Sequence, residues 1–223
     1  MLARDQVLSK MIIILTKASM RPVLARSVGA SVALAIGAAV VPAHAAQPVV
    51  VAVDGTLCDL TKTLAAGAAS VTCLIPPGGD PHSYRLKPSD RSQIAKSDLV
   101  LHIGFGLTPS AKKLKSPGTV VAVGEVALPS YGGSDPHVWH DPANSAAMVR
   151  VISSSLAPVL PESDRAALQQ RTARAVAVLQ ALQSWEAKQF SSLPPAQRVL
   201  VTDHRTYSHL ANRFGLVEIA MLD

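Results

Sequence analysis

The stretch VVVAVDGTLCDLTKTLAAGAASVTCLI, residues 49–75, decides the fold. Residues 49–53 are apolar and largely β-branched, with no polar alternation. That is the texture of a strand buried on both faces. Thr56 is placed to cap a helix running to Gly67. Residues 71–75 then read as a second strand. One strand–helix–strand unit in so short a span points to a parallel sheet covered by helices.

The pattern continues outward from this unit. Pro76-Pro77-Gly78-Gly79 breaks the chain into a loop, and Ser89 opens a short helix to Ser97. Residues 99–103 and 119–123 read as third and fourth strands. Residues 143–156 read as a helix, interrupted by Pro158 and Pro161. From Glu162 to Phe190 helical spacing runs without a breaker, with Leu168, Ala175, Leu179, Leu182 and Trp185 on one face. At 1.5 Å per residue such a helix spans roughly 43 Å, the length of a rigid connector between lobes. Residues 199–202 read as a strand, 206–213 as a helix and 216–222 as a strand. The predicted fold class is α/β, with two parallel-sheet lobes joined by one long helix and the second lobe incomplete in this chain. The predicted organisation is a targeting segment (1–45), an amino-terminal α/β lobe (46–142), a helical connector (143–193) and the start of a carboxyl-terminal α/β lobe (194–223).

The first 45 residues carry a secretory pattern. Lys17, Arg21 and Arg26 precede an uncharged Ala/Val-rich run, and Ala43-His44-Ala45 fits a small-x-small cleavage site. The expectation is a cleaved signal peptide, a periplasmic mature protein starting near Ala46, and no stable membrane insertion. The net charge of +6 is partly a product of this segment. Removing its five basic residues and one acidic residue leaves 16 basic and 14 acidic. No basic stripe with interleaved aromatics exists, so nucleic acid is not an expected partner. Export also changes how the two cysteines read: an oxidising compartment favours a Cys58–Cys73 disulfide over two buried thiols.

Three histidines follow strands. His82 lies in Gly79-Asp80-Pro81-His82, His137 in Asp135-Pro136-His137-Val138-Trp139, and His204 in Asp203-His204. In open parallel sheets ligands bind beyond the carboxyl ends of strands, and neutral imidazole suits zinc and similar cations. Proline stiffens the loops presenting His82 and His137. The preceding Asp residues either accept an imidazole N–H or only cap turns. His140 reads as an exposed loop histidine rather than a further ligand. His102 and His209 read as structural or solvent-facing.

At these residues the chain resembles the zinc and manganese solute-binding proteins of ABC transporters. Gly79-Asp80-Pro81-His82-Ser83-Tyr84 with Lys87-Pro88-Ser89-Asp90 resembles their first ligand motif. Asp135-Pro136-His137-Val138-Trp139-His140-Asp141-Pro142 resembles the second, with His140 where the family usually has Leu. Val201-Thr202-Asp203-His204, then Tyr207 and Arg213-Phe214-Gly215-Leu216, resembles the third. The resemblance implies a divalent metal held between two lobes by His82, His137 and His204. It implies zinc over manganese, because the third position is His in zinc-type and Glu in manganese-type members. It implies a monomer that delivers its ion to a permease and its ATPase. It also implies a fuller second lobe than residues 194–223 supply, with a carboxylate that often completes the site. The competing readings are a periplasmic metal buffer or adhesin without transport, and a secreted zinc hydrolase. The last is disfavoured because no HExxH helix or comparable motif is present, so the expectation is a protein that is not an enzyme.

Overall fold

The computed structural model describes residues 46–222. The predicted signal segment and its cleavage site lie outside them. Strands β1 (Val49–Ala52), β2 (Ser70–Cys73), β3 (Leu99–His102) and β4 (Thr119–Ala122) form a parallel sheet in the order β2-β1-β3-β4. Val50 pairs with Val71 on one side and with Leu99 on the other. The two central strands are sealed: Val50, Val51, Ala52, Leu99, Val100 and Leu101 have no exposed surface. Alternation along β1 explains why no polar residue is tolerated. Val50 and Ala52 join one core cluster, with Leu57, Met148, Ile152 and Leu168, while Val51 and Val53 join another with Ile94 and Val100. Each such side chain contributes about 1.5–3 kcal/mol by leaving water.

Helices cover both faces. They are α1 (Gly55–Ala65), α2 (Pro88–Ile94), α3 (Val123–Ala127) and α4 (Pro142–Leu156). The cap of α1 is Asp54, not Thr56: its Oδ1 accepts the Leu57 N–H at 3.0 Å. The fourth strand also stops one residue early. Val123 opens α3 because the Gly124 N–H donates to the Ile103 carbonyl at 2.8 Å. A Cβ on Gly124 would lie 2.7 Å from that oxygen, so the turn needs glycine. Cys58 on α1 and Cys73 at the end of β2 form the expected disulfide, with Cα atoms 5.6 Å apart. Closing so short a loop contributes about 3 kcal/mol in the chain-entropy picture.

Helix α5 (Glu162–Ser191) has the expected length, but its apolar face is shorter than its spacing suggests. Leu168 and Val176 are buried and Ala175 and Leu179 pack on the core, whereas Leu182 and Trp185 are exposed. Beyond Leu179 the helix runs past the first sheet, and its covered side turns to Phe190, which meets Phe214 of α6 (Ser208–Phe214). Strands β5 (Val199–Thr202) and β6 (Val217–Ala220) form a second parallel sheet. Its outer face presents Val199, Val201, Val217 and Ile219 to solvent. Among the described residues, no helix is long and apolar enough to cross a membrane.

Asp54 gives the fold a pH signature. Its Oδ2 is buried without a hydrogen-bond partner, and burial pushes its carboxyl up to about 6, against the pull of the capping N–H bonds. A folded value above the unfolded value of about 3.9 means that folding favours the protonated form. That contribution is complete below the unfolded value and is lost as pH rises through about 6. Asp54→Asn keeps a capping oxygen. We predict that this variant is more stable than the parent at neutral pH and that the gap shrinks as pH falls through about 6 and closes near the unfolded value of about 3.9. Urea midpoints across the pH range check this; a gap that does not change with pH contradicts it.

Candidate metal centre

All three ligand candidates sit beyond the carboxyl ends of strands, on loops whose backbone is held by carboxylates. The loop after β2 carries His82. Asp80 Oδ1 accepts the His82 N–H at 2.9 Å, and Tyr84 donates its hydroxyl to Asp90 of α2 at 2.8 Å. Asp80 therefore shapes a turn, and the structure gives it no bond to the imidazole. His137 opens a single 3₁₀ turn, Val138–His140, between α3 and α4. Here Asp135 does both tasks the sequence left open: its Oδ1 accepts the His137 N–H at 2.9 Å and lies 2.7 Å from His137 Nδ1. His204 follows β5. Asp203 Oδ1 accepts its N–H at 2.8 Å and lies 3.1 Å from its Nδ1.

A carboxylate only accepts, so Nδ1 of His137 and of His204 carries the proton. In the neutral ring Nε2 is then the lone pair. His82 Nε2 lies 2.9 Å from His137 Nε2. His204 Nε2 is buried and has no hydrogen-bond partner. One nitrogen from each of His82, His137 and His204 falls within a triangle no wider than 4.8 Å. A tetrahedral zinc with bonds of about 2.0–2.1 Å needs its nitrogens about 3.3 Å apart, so around an ion the His82–His137 pair opens slightly from 2.9 Å while the wider edges draw in. The donor set fits a borderline cation: three imidazoles, two of them with Nδ1 on a carboxylate.

Electrostatics keep the cluster receptive. Burial, and then the neighbouring His137 and His204, hold the His82 pKa below the ordinary imidazole value. Burial raises the Asp135 carboxyl, but the bonds from His137 and Ser208 outweigh it and hold the group at about 2.

Of the other histidines, His140 departs from its sequence reading, whereas His102 and His209 have the structural places expected of them. His140 is not exposed: it is half-buried, its ring 4.1 Å from that of Tyr207, and it lies outside the triangle. Burial pushes it down to about 4. His209 is buried, and the Asp135 carbonyl accepts from its Nε2 at 3.0 Å while Asn144 donates to its Nδ1 at 3.2 Å. His102 is half-buried at the end of β3, and burial lowers its pKa. The sequence reading also missed the seam partners Asn144, Ser208 and Arg213. Arg213 pairs with Asp141 at 2.7 Å. Both residues stood in quoted motifs, but nothing in their spacing said that they meet.

The family profile of the zinc-uptake complex component A, periplasmic, matches residues 50–223. The chain belongs to this family. Among its relatives the zinc-binding protein TroA of Treponema pallidum is 31% identical over 179 residues, which are 76% of this chain and 58% of TroA. The manganese-binding lipoprotein MntA of Halalkalibacterium halodurans is 32% identical over 165 residues, 70% of this chain and 54% of that one. The iron-binding protein YfeA of Yersinia pestis is 30% identical over 172 residues, 72% and 55%. Family member TroA also superposes in its solved structure, with a TM-score of 0.73 and 29% identity over 78% of this chain and 66% of that chain. This chain thus spans between half and three fifths of the length of these curated relatives.

The two adjacent histidines of the second motif provide an internal control. His137→Ala should lower zinc affinity by more than about 100-fold, beyond the loss typical of an outer partner. His140→Ala should change it by a factor of a few at most, because its ring stacks on Tyr207 away from the triangle. Calorimetric titration of both variants checks the pair, and equal losses contradict the assignment.

Proposed function

We propose that this protein captures a divalent transition metal, zinc by preference, in the periplasm and delivers it to the permease of an ABC transporter and its ATPase. Its metal ligands are His82, His137 and His204. On this reading residues 46–142 form the first lobe, residues 143–193 connect it, and residues 194–223 begin the second. The observation that carries the proposal is the gathering of one ring nitrogen from each of the three histidines within 4.8 Å, with His204 Nε2 buried and unpartnered. Family membership supports the transport role, since the family is named for zinc uptake in the periplasm. The relatives carry zinc, manganese and iron in their names, so the choice among metals rests on this chain's own donors. Three imidazole nitrogens favour zinc; manganese prefers oxygen.

Capture is a better reading than hydrolysis. A zinc hydrolase needs a carboxylate or imidazole free to take a proton from a metal-bound water. Asp135, the carboxylate nearest the cluster, is committed to His137 and Ser208 and held at about 2. Asp80 is turned to its own loop.

The test is calorimetry of the metal-free protein with zinc and with manganese. The proposal expects one zinc per chain and tighter binding of zinc than of manganese. Tighter manganese would overturn the metal preference, and no binding of either would overturn capture itself.

A further inference from the structure

His204 is held differently from the other two ligands. His82 and His137 hang from loops of the four-stranded sheet, whose central strands are sealed. His204 hangs from a two-stranded sheet with an exposed outer face. The loop that carries His204 must be held in shape before the ties across the seam can place it, and one side chain of its own sheet gathers that loop.

Glu218 stands on β6 opposite Leu200, on the covered face of the second sheet. Its Oε1 accepts the Thr206 N–H at 2.8 Å, the Tyr207 N–H at 2.8 Å and the Thr202 hydroxyl at 3.2 Å. Its Oε2 accepts the Ser208 hydroxyl at 2.8 Å. One carboxylate thus ties the residue two before His204 to the three that begin two after it, and His204 is the apex of the closed loop. The Thr206 hydroxyl also donates to the His204 carbonyl at 3.0 Å. The chain of bonds then crosses the seam: the Ser208 N–H donates to Asp135 Oδ2 at 3.0 Å, while Asp135 Oδ1 takes His137 Nδ1. Four donors on one carboxylate make a rigid clamp, since bonds to a charged acceptor are the stronger kind.

We infer that Glu218 is a positioning residue for metal capture, holding His204 in register with His137 through Ser208 and Asp135. The inference rests on the proposed metal site and adds to it a residue that touches no metal. Outer partners of this kind typically change metal affinity 10–100-fold, because a ligand that must be ordered on binding opposes coordination.

The experiment is a double-mutant cycle on the full chain, reading zinc affinity by competition with a chromogenic chelator. Glu218→Ala should weaken zinc binding by about 10–100-fold in the parent. In the His204→Ala background it should cost less than about threefold, because its effect passes through His204. Cobalt(II) gives a second reading: the visible bands of the parent's tetrahedral site should weaken in Glu218→Ala and be unaltered by it when His204 is already gone. Ser208→Ala, which removes only the hydroxyl link, should lose affinity several-fold by the same cycle and stands in if Glu218→Ala fails to fold. Parent-like affinity in the folded Glu218 variant would overturn the positioning role alone. So would an equal loss with and without His204, which marks a general structural effect. A parent that binds zinc no better than His137→Ala would overturn the metal site itself, and the inference with it.

Discussion

The short contact between His137 Nδ1 and Asp135 Oδ1, 2.7 Å, sets the character of everything around it. A carboxylate cannot donate, so the imidazole proton is pinned on the side away from the cluster, and Nε2 is left as an acceptor, 2.9 Å from His82 Nε2. Asp203 imposes the same tautomer on His204. His204 Nε2 is buried and has no hydrogen-bond partner. A buried polar atom in that state costs about 1–3 kcal/mol. A cation among the three nitrogens would remove that cost. On the proposed reading, the site is prepared for an ion by hydrogen bonds that face away from it.

The fold is the means of placing those loops. A parallel sheet sends all its strands' carboxyl ends to one edge, and sealing β1 and β3 on both faces makes that edge rigid. His82 and His137 inherit the rigidity. His204 sits across a seam and inherits it through polar ties: Arg213 to Asp141, His209 to Asp135 and Asn144, and Ser208 to Asp135. Asp135 is common to two of the three ties and also to His137. The seam and the ligand set are therefore one hydrogen-bonded system, in which loosening the second sheet also loosens His137.

The sequence made the first sheet legible because its strands are unbroken apolar runs and its turns carry Pro and Gly. The helix α5 was legible in length but not in burial. Periodicity reports which residues share a face, and Leu182 and Trp185 do share one with Leu168; it does not report where the surface beneath that face ends. The three histidines were legible through their motifs. Their partners were not, because Glu218, Ser208 and His209 act across strand and seam, and no local spacing encodes such a contact. The capping of α1 was misplaced by two residues for a related reason: Asp54 and Thr56 are both good caps, and only the direction of the chain leaving β1 chooses between them.

X-ray absorption of the zinc-loaded protein tests the central claim most directly, since it reads the atoms bound to the ion. The account predicts a first shell containing three imidazole nitrogens at about 2.0–2.1 Å, with the multiple-scattering signature of histidine rings. Fewer than three imidazoles, or a sulfur at about 2.3 Å, would contradict it.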